Sequence, residues 1–132
     1  VKFARIFSVL WLAPVLLLTA CAPKVKGSYQ GVVRNQSYGI DADVFLTLHE
    51  GAGFVSGTMT IGAPLSGGGT VSGTLQGKRI QFTTSDGAGG RIIWIGEVSG
   101  RTMKGSYIVE PGAMSTLFAG AQKEQGLWVV RR

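Results

Sequence analysis

The chain carries one histidine, His49, and one cysteine, Cys21, so the chemistry open to its side chains is narrow. A zinc site takes four ligands drawn mainly from such groups, and this sequence does not supply them. A Ser-His-Asp relay can be written from His49 with Asp41 or Asp43, but no serine stands in a Gly-x-Ser-x-Gly turn that would expose it as a nucleophile. His49 reads as an exposed residue near a strand end. The carboxylates mostly flank turns, and their spacing reveals no pair facing across a cleft, as glycoside hydrolysis requires. Gly67-Gly68-Gly69 lacks the lysine and the following helix of a phosphate loop and reads as a flexible hairpin connection. The expectation is a protein without catalytic machinery or cofactor.

The aromatic residues offer more. Tyr29, Phe82, Trp94, Tyr107 and Trp128 fall on the inward phases of five separate segments. Two outcomes follow from that placement. They fill a small core, or they line an apolar cavity in which the Tyr29 and Tyr107 hydroxyls are the polar handles of a small-ligand site.

The segments that must position them are strands. Beyond residue 26 the chain breaks into short runs rich in Val, Ile, Thr, Phe and Tyr, bounded by Gly, Asn, Asp and Ser. Eight are predicted: 27–34, 42–50, 53–61, 69–76, 79–85, 90–98, 102–109 and 125–131. Connections are mostly short and glycine-rich, and Ser99-Gly100-Arg101 reads as a tight hairpin. Within the runs the apolar residues alternate. Val44, Leu46 and Leu48 share one face, as do Val55, Met59 and Ile61, then Val71 and Leu75, then Ile80 and Phe82. A period of two with one polar face describes antiparallel strands buried on one side only. A membrane-spanning barrel would instead turn an apolar face outward.

Glycine recurs on the predicted inward face, at Gly31, Gly57, Gly73, Gly96 and Gly105. Glycine weakens a flat strand, so its repetition asks for sharp coiling or for interior space. The run Val-Ser-Gly-Thr at 55–58 returns at 71–74, and Gly27-Ser28-Tyr29 is echoed by Gly105-Ser106-Tyr107. The irregular spacing marks repeated hairpins rather than a solenoid. Eight strands in about 110 residues suit a closed all-β, up-and-down antiparallel barrel, with an open β-sandwich as the alternative. With its early Gly-x-Tyr-x-Gly (27–31) and late Gly-x-Trp (126–128), the pattern resembles the small lipocalin- and avidin-like barrels. That resemblance implies the architecture and assigns no ligand residue.

One stretch departs from the hairpin pattern. Residues 111–123 are too long for a turn, and Met114, Leu117 and Phe118 have the spacing of a helical turn. They would cap the barrel or lie on its outer wall. Ile93, Ile95 and Ile108 face outward on their strands, and with Phe45 or Val32 they would make an exposed apolar patch.

The start of the chain has its own grammar. Lys2 and Arg5 precede an apolar run from Ile6 to Ala20, 15 residues containing Pro14. That is shorter than the roughly 20 residues a spanning helix needs, and it has the basic-apolar-small layout of a secretory signal. Leu18-Thr19-Ala20-Cys21 resembles the bacterial lipobox at all four positions. The resemblance implies cleavage before Cys21, a diacylglyceryl thioether on its sulfur and an acyl chain on the freed amine. One acyl chain binds a membrane marginally, and two or more hold it. By that resemblance Ala22, where retention in the inner membrane would call for Asp, points to the outer membrane, facing the periplasm, if the cell is Gram-negative. In a Gram-positive cell the same lipid would hold the protein on the outer face of its single membrane.

The expected organisation is therefore a signal peptide (1–20), a lipidated tether (21–26) and one domain (27–132). Removing residues 1–20 takes away Lys2 and Arg5 and leaves 11 basic against 7 acidic side chains, net +4. The bases stand mostly singly, without the clustered stripe and stacking aromatics of a nucleic-acid interface. Attraction to anionic lipid is the better functional use of such a charge, beside plain solubility. The function expected is binding: a small apolar ligand inside the barrel. The alternative is a protein-interaction module, either an accessory of envelope assembly or an inhibitor of a periplasmic hydrolase. A filled interior would favour the module.

Overall fold

Alternating apolar residues in short segments, joined by turns too tight to cross over, leave each strand only its sequence neighbours to pair with. The computed structural model describes residues 24–112 and 124–132, and its consecutive strands follow that rule. Strands β1 (Gly27–Asn35), β2 (Ile40–Gly51), β3 (Phe54–Ile61) and β4 (Gly68–Gln76) are followed by β5 (Arg79–Ser85), β6 (Arg91–Ser99), β7 (Thr102–Glu110) and β8 (Gln125–Arg131). All eight predicted strands are present, with ends within two residues of expectation. Each pairs antiparallel with the next, and β1 pairs with β8 from Gln30↔Arg131 to Asn35↔Gly126. That last ladder closes the barrel, so the open sandwich is not adopted.

The inward phases are those expected from the alternation. Val44, Leu46, Leu48, Val55, Met59, Val71, Ile80 and Trp94 are buried, while Thr47, Thr58 and Thr74 face water. Asn35 and Thr84 are the buried polar side chains among the described residues. Every strand and every buried side chain of the core lies between Val25 and Arg131. Among the described residues the closed sheet and the core it encloses thus lie wholly within 24–132.

Eight strands enclose a space just wide enough for side chains to fill. The inward glycines meet this tightness. A Cβ on Gly31, Gly57, Gly73 or Gly105 would run into a carbonyl oxygen of the adjoining strand. Gly96 and Gly126 also make room for rings, those of Trp128 and Tyr107 respectively. The interior space predicted from these glycines is taken by coiling and by the protein's own aromatic side chains.

The two ends of the barrel differ. At one end sit the β2–β3, β4–β5 and β6–β7 turns and both chain ends. Val25 plugs this end, fully buried, and its carbonyl accepts a hydrogen bond from the Tyr29 hydroxyl at 2.9 Å. The Arg132 guanidinium donates to the carbonyls of Lys24 and Lys26 and lies 5.9 Å from the Tyr29 ring centre. The opposite end, formed by the β1–β2, β3–β4 and β5–β6 connections and the approach to 113–123, is the mouth. Cys21 with the apolar run before it, and the helical turn expected at 114–118, lie outside the described residues.

Candidate functional site

The five aromatic residues are inward, and four of them, Phe82, Trp94, Tyr107 and Trp128, meet one another. Phe82 stacks on Trp94 with ring centres 5.9 Å apart and an interplanar angle of 16°. Trp128 stands edge-on to both, at 5.7 and 6.0 Å, and Tyr107 tilts against Trp94 at 4.9 Å. Offset and edge-to-face pairs at these separations are favourable arrangements of aromatic rings. Their polar atoms are answered from within. Trp94 Nε1 donates to Thr84 Oγ1 at 2.9 Å, and Trp128 Nε1 donates to the Ser106 and Ile95 carbonyls at 3.1 and 3.3 Å. Tyr29 sits apart, its hydroxyl committed to the plug. The middle of the barrel is filled.

Space remains above that cluster. The mouth holds a hollow of about 430 Å³ with Trp94, Tyr107, Ile92 and Val109 in its lining. Polar groups ring it. Asn35 Nδ2 donates to Glu124 Oε2 at 2.9 Å, while its Oδ1 accepts from the Tyr38 backbone N–H at 3.1 Å, which fixes the β1–β2 turn. Asp86 Oδ1 accepts from the backbone N–H groups of Ala88 and Gly90, ordering the β5–β6 turn. Burial, and then the Glu124 carboxylate, push the Tyr107 hydroxyl up from 10.0 to about 12. The side chain is therefore a neutral hydrogen-bonding phenol at physiological pH. Of the five aromatic residues expected to bind a ligand, Trp94 and Tyr107 reach this hollow, whereas Phe82, Trp128 and Tyr29 do not line it.

A second concavity lies on the outer wall. Val32 stands opposite Val129 and Arg34 opposite Leu127 across the β1–β8 seam, and Ile95 stands opposite Ser106 on β6–β7. Together they border an apolar groove of about 700 Å³. At its base Gly96 faces Gly105, both without side chains, and the indole of Trp128 contributes to the lining there. Charged groups edge it: Arg34 and Asp41 are 3.7 Å apart, and Glu97 faces Lys104. The expected outer patch is present in part. Val32 and Ile108 are exposed and Ile95 lines the groove, while Phe45, exposed on β2, is not among its lining residues.

Leu127 and Val129, 47% and 45% exposed, complete the groove and were not anticipated. Their signal was legible. Leu127-Trp128-Val129-Val130 is apolar on both phases, and a strand facing water on one side alternates instead. The roles of Asn35 and Glu124 had no sequence signal, because they are 89 residues apart. His49 is exposed on β2. Among the described residues no three His, Cys, Asp or Glu side chains converge to hold a metal ion. The sequence matches no family model, and no curated protein or solved structure is significantly similar to it.

Proposed function

We propose that the protein is a lipid-anchored lipoprotein of the bacterial envelope whose barrel binds a small ligand at its mouth, without catalysing a reaction. The observation that carries the reading is the mouth itself: a hollow lined by Trp94 and Tyr107 in a barrel plugged at its other end by Val25. Ligand pockets combine apolar walls with a few placed polar groups. Here Trp94, Ile92 and Val109 suit an apolar body, and Glu124, Asp86 and Asn35 suit a head that donates hydrogen bonds or is cationic. The filled middle confines the ligand to the mouth rather than the barrel axis. The tether supports the same arrangement. Lys24 enters the plugged end, three residues after Cys21, so acyl chains on Cys21 would hold that end at the bilayer and turn the mouth away.

The outer groove favours a second reading, a protein-interaction module, because it is the larger and more apolar of the two concavities.

Native mass spectrometry of residues 22–132 from a gently prepared cell extract separates them. A defined extra mass, weakened in Glu124→Gln, supports the mouth ligand. A clean unliganded mass in both proteins removes it and leaves the module. The anchor is tested independently. The full chain should incorporate labelled palmitate in a bacterial host and lose both the label and its membrane fractionation on Cys21→Ser.

A further inference from the structure

The basic residues, dispersed along the sequence, are gathered by the fold. Both chain ends and three hairpin turns meet at the plugged end. The chain ends bring Lys24, Lys26, Arg131 and Arg132 there, the β4–β5 turn brings Lys78 and Arg79, and the β6–β7 turn brings Arg101. The Arg132 backbone N–H donates to the Arg101 carbonyl, and Val98 N–H donates to the Lys78 carbonyl, tying these positions to the ends of β6 and β8. The remaining turn at this end, β2–β3, presents Phe54, 69% exposed. Each station around this rim therefore carries a cation or an exposed aromatic ring.

The acids are distributed the other way. Glu50 and Glu97 are the carboxylates of this half, Glu97 standing opposite Arg79 on β5 and Lys104 on β7. Asp41, Asp43, Asp86, Glu110 and Glu124 lie toward the mouth. The ion pairs among the described residues, Arg34–Asp41 and Arg91–Glu110, belong to the mouth half as well. The barrel thus has a basic end and an acidic end, and the tether leaves from the basic one.

We infer that the plugged end is a docking face for anionic lipid headgroups, with the Lys and Arg rim against the bilayer surface and Phe54 reaching into the interface. Juxtamembrane cations are attracted to anionic leaflets over about a Debye length, and an amphipathic or aromatic side chain at that depth adds apolar contact. The contact would stand the barrel upright on its tether and hold the mouth outward. The orientation rests on the lipoprotein reading; the lipid affinity does not, because it belongs to the folded domain.

The test uses residues 22–132, which lack Cys21, so loss of the anchor and loss of the docking face give different results. Co-sedimentation with phosphatidylglycerol vesicles should show binding that is absent with phosphatidylcholine vesicles and is abolished by about 0.5 M salt. Each removed rim charge should lower partitioning by about fivefold, so Lys78→Ala with Arg101→Ala should lower it about 25-fold. Arg91→Ala, which removes a charge from the mouth half, should stay within about twofold of wild type by the same rule of proximity. Phe54→Ser should weaken binding without altering its salt dependence. All of these side chains are exposed, and near-ultraviolet circular dichroism should confirm the intact core of each variant. No binding to phosphatidylglycerol, equal binding to both vesicles, or an Arg91→Ala loss matching that of Arg101→Ala alone would each overturn the inference.

Discussion

The Trp128 indole lies over Gly96, so close that a Cβ at Gly96 would come within 2.5 Å of Trp128 Cζ2. The two residues are on β8 and β6, with β7 between them, so the contact spans the curve of the wall. Gly96→Ala should force the indole or the β6 backbone to shift, at about 1–3 kcal/mol, the usual cost of overpacking. Equilibrium urea unfolding reads this directly. An unchanged midpoint would mean that the wall yields freely here.

The bond between Trp94 and Thr84 makes a second prediction. Thr84→Val keeps the shape but leaves the buried indole N–H without its partner, and should cost about 1–3 kcal/mol. Trp94→Ala removes the ring that touches Phe82, Tyr107 and Trp128 and should cost about 3–5 kcal/mol. Both are measured as shifts in unfolding free energy. A Trp94→Ala protein of near wild-type stability would contradict a filled interior.

The plug can be tested apart from the ligand. Val25→Ala removes fully buried apolar surface from the end of the barrel and should cost about 1–3 kcal/mol. Arg132→Ala removes a partly exposed clamp and should cost less, about 1 kcal/mol or under. Hydrogen exchange of the first β1 amides should rise more in the Val25 variant than in the Arg132 variant.

Tyr107 predicts a pH dependence. Its hydroxyl is raised from 10.0 to about 12, first by burial and second by Glu124. The neutral phenol is therefore favoured by the folded state. Its contribution to stability is complete below pH 10 and is lost as pH rises from there toward about 12, because the unfolded chain releases the proton first. Burial also raises the Tyr29 hydroxyl, against the opposing pull of Arg132. In tyrosinate absorbance the late-titrating component to follow is therefore the one that moves to lower pH in Glu124→Gln and disappears in Tyr107→Phe. A late transition unmoved by Glu124→Gln would leave burial as its sole cause.

The strands were legible because period-two alternation is a local property. Val44, Leu46 and Leu48 declare their face within five residues, and glycine-bounded turns declare where each strand stops. The inward phase of the five aromatic side chains was legible for the same reason. Whether they enclosed a space was not, since that depends on ring-to-ring distances across the barrel. Trp94 and Trp128 are 34 residues apart, and only closure sets their centres at 6.0 Å.

The sequence by itself determined the number of strands, their order, their inward faces and the absence of a clustered basic run. Short-range chemistry suffices for these, because each depends on residues within one hairpin. The tertiary structure chose the closed barrel over the open sandwich by returning β8 to β1, and it alone decided that Leu127 and Val129 join Val32 in one groove and that Asn35 meets Glu124 at the mouth. It also decided that cations from both chain ends and two turns share one rim. Closure is the physical reason. Wrapping eight strands into a ring makes neighbours of the first and last, fills the interior with whatever faces inward, and collects alternate turns at opposite ends.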